Sequence, residues 1–307
     1  MNLERYLCVS PEVRAALRAG RPVVALDSSG ALCDMPLADG LRFAREKERA
    51  VRDGGAVPAT VAVLEGVLHV GASAAQLESL AAHGRAPKAS RQDLPVLLAT
   101  GGSAATTAAA TMIAAILAGI PVFAATGIGG TRPGGFDVSA DLQELRKSSI
   151  AVVCAGIKPG GDPALTLEYL ETMGVPVLGL GSGEFPAFYC RDARYQTDRA
   201  VDSAAEAARI AKIKWDLGLA GGVLITQCIP AEKALDAALA QRVLEQAQAD
   251  ASRHGVRGRA LTPYLMAHIL QHCPAAGEAL FTLARQSALA ASRVAAALCT
   301  PKDRRIL

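Results

Sequence analysis

Short, nearly all-apolar runs alternate along this chain with longer Ala-rich segments whose apolar residues recur at helical spacing. The short runs predict strands over residues 22–27, 60–64, 94–99, 121–125, 150–155, 176–180 and 222–226. Most are apolar on both sides of the pleat, as strands are when helices cover both faces. The longer segments predict helices over 39–52, 73–82, 103–118, 163–173, 203–217, 231–253, 263–271 and 277–298. Ser203 followed by Glu206 is a capping-box pair that fixes one helix start. The alternation predicts an α/β chain folded as a three-layer α/β/α sandwich. No internal repeat and no Pro/Ser-rich linker interrupts it, so residues 1–307 read as one domain.

Composition narrows the setting. With 307 residues, 51% of them hydrophobic, the chain can bury a sizeable core. The longest apolar runs, residues 112–118 and 150–155, are too short to span a bilayer. Residues 1–10 carry Glu4 and Arg5 and no apolar signal stretch, so a cytoplasmic protein is expected. A formal charge of +3, without Lys/Arg clusters interleaved with aromatics, argues against a nucleic-acid partner. Seven dispersed cysteines without a CxxC pair read as reduced thiols. The five histidines, His83 among them, form no zinc pattern, although His268 and His272 are one helical turn apart. Trp215 reads as core. Pro186, Phe188 and Tyr189 read as a pocket wall or a packed loop, and Lys302, Arg304 and Arg305 as a solvated tail.

Four constellations could carry chemistry. Thr100-Gly101-Gly102-Ser103 leads into the predicted helix 103–118, with Thr106 and Thr107 in its first turn. Such a start offers free N–H groups and hydroxyls to a phosphate, or is simply a tight turn. Five glycines within residues 127–135 precede Phe136-Asp137-Val138-Ser139-Ala140-Asp141. Asp137 and Asp141 share a face if that segment is helical, and two carboxylates beside hydroxyls suit Mg²⁺ or Mn²⁺; the alternative is helix capping. Lys158 follows the strand predicted at 150–155, where ligands of open α/β sheets gather. It is a phosphate anchor, a solvated charge or an amine nucleophile. The last requires a lowered pKa, through burial or a second cation such as Lys88. Asp27 ends the first predicted strand and is either a turn cap or, with a raised pKa, a proton donor or acceptor.

The order and spacing of several segments then join these pieces. They are residues 54–60 (Gly-Gly-Ala-Val-Pro-Ala-Thr), 88–95 (Lys-Ala-Ser-Arg-Gln-Asp-Leu-Pro), Ala105-Thr106-Thr107 with Ala110-Thr111-Met112, and 136–142 (Phe-Asp-Val-Ser-Ala-Asp-Leu). Cys154-Ala155-Gly156 with Lys158, residues 165–171 and residues 184–188 follow. Over residues 24–291 the chain resembles the pseudouridine-5′-phosphate glycosidase, or indigoidine-synthase-A-like, family. The resemblance implies an α/β/α sandwich with a mixed central sheet, a homotrimer, and a divalent metal, usually Mn²⁺, on Asp137. It implies that Lys158 attacks C1 of the ribose and that Lys88, Ala108, Ser139, Ala140 and Asp141 bind substrate, with Thr106, Thr107 and Arg132 beside them. Asp27 stands where the family has a Glu that donates a proton. An amine at C1 opens the sugar ring and gives an iminium, an electron sink next to the carbon–carbon bond, which no protonated oxygen can supply.

The departures fall around the site. The family run Ser-Thr-Ile-Ile-Ser-His-Gly-Met-Pro is here Ser28-Ser29-Gly30-Ala31-Leu32-Cys33-Asp34-Met35-Pro36, without the histidine. A His-Arg pair is reduced to Arg132, and an Asn-Asn pair is replaced by Gln286-Ser287. The amine and metal positions remain while those that read the base do not. The expectation is a C-ribosylating synthase of the antibiotic-pathway branch, joining D-ribose 5-phosphate to an aromatic or polyketide-like acceptor. The alternatives are cleavage of pseudouridine 5′-phosphate to uracil and ribose 5-phosphate, and a non-catalytic sugar-phosphate-binding protein.

Overall fold

A computed structural model describes residues 3–82, 86–134, 137–191 and 193–299. His83, Gly135, Phe136 and the basic tail at Lys302, Arg304 and Arg305 lie outside these residues. In chain order the strands are β1 (Leu7–Val9), β2 (Val23–Leu26), β3 (Val57–Leu64), β4 (Val67–Val70), β5 (Lys88–Ala89), β6 (Ala104–Thr106), β7 (Val122–Ala124), β8 (Ala151–Cys154), β9 (Val177–Leu180), β10 (Arg199–Val201) and β11 (Val223–Thr226).

They form a mixed sheet ordered β1-β4-β3-β2-β7-β8-β11-β9-β10, with β6 also on β3 and β5 on β6. From β3 through β2 to β10 every pairing is parallel; Ala25 stands between Ala59 and Phe123. β3 serves two neighbourhoods. Its first half pairs with β2, and its second half runs antiparallel to β4 and β6.

Alternation along the central strands sorts side chains into two cores. Val23 and Ala25 of β2, with Val152 and Cys154 of β8, pack against the helices Pro11–Arg18, Ala108–Ala118 and Ala140–Lys147. Val24, Leu26, Ala151 and Val153 face the opposite way, against Leu37–Asp53, Ala204–Asp216 and Ala275–Cys299. This is the expected three-layer sandwich, and it explains why the strands read as unbroken apolar runs. A third cluster joins Leu32, Met35 and Phe43 to Ala155, Phe188 and the C-terminal helices Ala237–Arg253, Leu261–His272 and Ala275–Cys299. It caps the carboxyl end of β8. Among the described residues no helix is long and apolar enough to cross a membrane.

Three predicted elements are corrected. Residues 94–99 belong to a helix, Leu94–Thr100, with Pro95 in its first turn and Gly101 (φ 72°) as its left-handed cap. Pro is well tolerated there and Gly closes a helix cheaply, while only Leu94 is buried. The predicted helix 103–118 divides into β6 and the helix Ala108–Ala118, because Thr107 caps the latter by accepting the Ala110 N–H at 3.4 Å. The segment predicted at 231–253 likewise opens with a 3₁₀ turn, Ala231–Lys233, before Ala237–Arg253 begins. The Ser203 cap holds: its hydroxyl accepts the Glu206 N–H at 3.2 Å. The short strands β1, β4, β5, β6 and β10 gave no readable period.

Phe123 is fully buried in β7 among the helices of the first core. Phe123→Ala is expected to cost about 3–5 kcal/mol. Urea denaturation checks this, as a lower midpoint at unchanged slope.

Candidate active site

The carboxyl ends of β2, β7 and β8 lie side by side, and the loops that leave them build the site. Lys158 is placed by its backbone: its N–H donates to Ile128 O at 2.8 Å, and the Ile128 N–H donates to Gly156 O at 3.1 Å. Gly156 adopts φ 80°, and a Cβ there would sit 2.7 Å from Pro186 O. Below this turn Phe188 is held at φ 58°, and its ring lies where a Cβ on Gly127 would be, 2.5 Å away. Phe188 and Tyr189 are thus packing residues and Gly127 is small to admit the ring.

A cavity of about 660 Å³ opens above Lys158. Its wall is mainly basic, with Lys88, Arg91, Arg132, Lys147, Lys158 and Arg259 against Asp137 and Asp141. Such a wall suits an anion. Arg259 ties the far side, donating to Lys88 O at 2.7 Å and to Asp93 at 3.1 Å. Thr107, Ala108, Ser139 and Ala140 also line the cavity, as does Ser29, whose buried hydroxyl has no hydrogen-bond partner.

A chain of buried charges runs beneath. Asp27 meets Lys47 at 2.7 Å, with side chains only 8% and 3% exposed. Lys47 also donates to Asp27 O at 3.3 Å. Asp34, 3% exposed, lies between two lysines: Lys88 Nζ is 3.4 Å from Oδ1 and Lys158 Nζ is 3.9 Å from Oδ2. Burial pushes the Asp27 carboxyl up, but Lys47 and Lys158 outweigh it and hold it below the usual range. Burial pulls the Lys158 ammonium down, but Asp34, Asp27 and Asp141 outweigh it and hold it above its usual value. Both expected shifts are therefore reversed in the resting site: Asp27 is ionised and Lys158 is charged. Lys88 does not oppose Lys158; it shares a carboxylate with it. Cys33, beside Asp34, is pushed up to about 12 by burial and by the neighbouring carboxylate.

Other expectations are redistributed. Thr100, Gly101, Gly102 and Ser103 do not line the cavity, because the helix they were read as opening starts at Ala108. The first turn of that helix is already occupied: Asp141 accepts the Ala109 N–H and the Gly129 N–H, each at 2.8 Å. Thr106 is fully buried and donates its hydroxyl to Val61 O at 2.8 Å, forming floor, not wall. Asp137 precedes the helix Ala140–Lys147, so it shares no helix face with Asp141; it pairs with Arg132 at 2.8 Å. Arg132 also donates to Thr262 Oγ1 at 2.7 Å. Gln286 and Ser287 do not line the cavity.

Among the described residues no group of three or more His, Cys, Asp or Glu could cage a metal ion. A caged ion does not fit. A hydrated Mg²⁺ or Mn²⁺, held through one carboxylate and its own waters, fits Asp137, which is half-exposed and faces the cavity. His268 and His272 stack at 4.0 Å, and Asp250, 3.3 Å from the largely buried His268, links the helices Ala237–Arg253 and Leu261–His272. Trp215 donates to Gly221 O at 3.1 Å.

The sequence reading passed over Asp34 and Lys47. Lys47 had a signal: it falls on the buried stripe of Phe43, Ala44, Ala50 and Val51, where an unpaired charge is forbidden. Asp34 had none beyond its place in an unusual run.

Comparison with known proteins gives a consistent picture. A family described as indigoidine synthase A like protein matches residues 12–297. A pseudouridine-5′-phosphate glycosidase of Caldanaerobacter subterraneus subsp. tengcongensis is 49% identical over 270 residues, 87% of this chain and 88% of that one. One from Deinococcus radiodurans is 48% identical over 301 residues, 96% of each chain. The crystal structure of the prealnumycin C-glycosynthase AlnA in complex with ribulose 5-phosphate is similar with a TM-score of 0.86 and 38% identity, covering 96% of this chain and 97% of that one. An indigoidine synthase A-like protein from Thermotoga maritima has a TM-score of 0.87 at 27% identity, with the same coverage.

Two outcomes follow from the buried charges. Lys47→Met strands the Asp27 carboxylate and is expected to cost about 3–5 kcal/mol at pH 7, read by urea denaturation. Asp27 has a lowered pKa, so its stabilisation is present above the ordinary carboxylate range and is lost as pH falls through the lowered value. The gap between variant and wild type should therefore narrow below pH 4. A gap that stays constant on acidification would show Asp27 to be neutral in the native state. Separately, iodoacetamide at pH 8 is expected to label exposed Cys8 and spare Cys33. Labelling of native Cys33 at the Cys8 rate would contradict its burial beside Asp34.

Proposed function

The chain belongs to the indigoidine synthase A like family, and from that premise we propose that it acts on the carbon–carbon bond at C1 of ribose 5-phosphate through an imine on Lys158. The observation that carries this reading is a nearly buried amine, 16% exposed, at the carboxyl end of β8 and on the wall of a basic cavity. Release of uracil from pseudouridine 5′-phosphate is the reaction expected first, since relatives sharing 45–49% identity carry that activity in their names.

The residues then divide the work. On this reading Lys88 and Arg91 of the cavity wall meet the phosphate, with the side chains of Thr107 and Ser139 beside them. The unpartnered Ser29 hydroxyl awaits a sugar hydroxyl. Lys158 must lose a proton before its lone pair can bond to C1. The ring oxygen leaves C1 and takes up a proton. The nitrogen lone pair then forms C=N while the electrons of the C1–carbon bond pass to the base, whose carbon is protonated. Water hydrolyses the imine and returns Lys158. Asp27, fixed by Lys47, keeps a negative charge near the iminium. A divalent ion, proposed as Mn²⁺ on Asp137, supplies positive charge toward the phosphate when bound. A trimeric assembly is part of the proposal, and light scattering checks it.

A second reading is C-ribosylation of an aromatic acceptor. It is favoured by a second cavity, about 810 Å³, on the other side of Asp34. Met35, Pro36, Leu270, Pro274 and Phe281 offer that cavity an apolar surface, and its charged rim is mainly acidic, with Asp39, Glu46 and Glu278 beside Arg42, unlike the basic wall beside Lys158. The likeness to a C-glycosynthase at 38% identity points the same way.

Incubation with ribose 5-phosphate and borohydride is expected to add the sugar's mass to wild type and none to Lys158→Ala, which should also lack turnover. No gain on wild type would leave a sugar-phosphate-binding protein. Incubation with pseudouridine 5′-phosphate and Mn²⁺ separates the two enzyme readings: rapid uracil release supports cleavage, and none with an intact imine supports synthesis.

A further inference from the structure

The imine reading leaves one requirement unmet. Lys158 starts as an ammonium, which has no lone pair, so a base must take its proton at the moment of attack. Asp27 is committed to Lys47 at 2.7 Å. Asp141 spends one oxygen on the Ala109 N–H and the other on the Gly129 N–H. Cys33 and Tyr189, the other titratable groups beside Asp34, are buried and pushed up, so both remain neutral. Asp34 is different. Among the described residues it takes no hydrogen bond except from Lys88, and its second oxygen faces Lys158.

We propose that Asp34 is the proton acceptor of Lys158, freed for that role when Lys88 turns from it to the phosphate of the substrate. The inference rests on the imine reading and deepens it. The 3.9 Å separation is beyond hydrogen-bond length, and a lysine stem closes such a gap by rotation. Lys88 lies on the cavity wall, so a phosphate entering the cavity competes with Asp34 for it. Once Lys88 has turned away, Lys158 is the one charged partner left beside Asp34 among the described residues, and the proton has a short path between the two.

The step balances with no outside reagent. Lys158–NH₃⁺ passes a proton to Asp34–COO⁻. The free amine bonds to C1 of the open sugar, and the carbonyl electrons move to oxygen, which takes the proton back from Asp34. A second proton leaves nitrogen through Asp34 to the same oxygen. Water departs, C=N⁺ forms, and Asp34 is again a carboxylate.

The test is the rate of borohydride-trapped imine with ribose 5-phosphate, followed by intact mass from pH 5 to 9. Asp34→Asn is expected to trap roughly 10²-fold more slowly at pH 7, the scale of a positioned base. Its rate should climb with pH as hydroxide takes over, while wild type stays flatter. Asp34→Gly should be equally slow and be partly restored by added formate, which Asp34→Asn should not be. Unphosphorylated ribose, which gives Lys88 no reason to move, should make wild type and Asp34→Asn nearly equal. An Asp34→Asn rate at pH 7 equal to or above wild type would overturn the inference, leaving Asp34 an anchor for the lysines. So would an Asp34→Gly protein with wild-type circular dichroism and no response to formate. No adduct on wild type at any pH would overturn the imine reading and the inference with it.

Discussion

The Asp27–Lys47 pair is the constraint on which the rest of the site is built. Asp27 leaves β2 at the point where the sheet ends, and Lys47 comes from the buried stripe of the helix Leu37–Asp53. Neither charge is tolerable there alone, so each fixes the other. The pair pins that helix to the strand end. The segment between them, residues 28–46, is thereby held close enough for Asp34 to reach the lysines of β5 and of the loop after β8. Positive and negative groups then alternate from Lys47 to Lys88, in surroundings where their attraction is weakly screened.

The fold was legible where burial is total. Strands such as residues 151–154 and 223–226 are covered by helices on both faces, so their composition is sufficient to mark them. The run at 94–99 failed on the same criterion: it is apolar yet mostly unburied, with Val96 60% exposed. Composition reports hydrophobicity, and only partners decide whether a run lies in a sheet. The Ala-rich run at 104–118 failed differently. Alanine has neither a strand nor a helix period to display, and the boundary was set by Thr107 alone.

The site was legible as positions and not as charge states. Lys158, Lys88, Ser139 and Asp141 converge on one cavity, as the motifs implied. Their protonation depends on residues distant in sequence. Asp34 and Lys88 are 54 positions apart, and Asp27 and Lys47 are 20 apart. A pattern of adjacent residues carries no trace of such pairings. The same limit separates the two cavities on either side of Asp34. The basic cavity is built from backbone turns and fixed charges, whereas the cavity beyond Asp34 joins apolar side chains to a mainly acidic rim.

Two crosslinks bear on how the protein comes into being. Arg259 reaches back 171 residues to the backbone of Lys88, and Arg132 reaches forward 130 to Thr262. Both walls of the basic cavity are therefore fastened by residues 259–262. During synthesis β5, which carries Lys88, and β8, whose following loop carries Lys158, emerge long before residues 259–262 leave the ribosome. A nascent chain has the amine but not the enclosure, and loop closure over so many residues is slow. Lys158 is enclosed in its basic cavity only in the last stage of folding, which ties completion of the site to completion of the C-terminal helices.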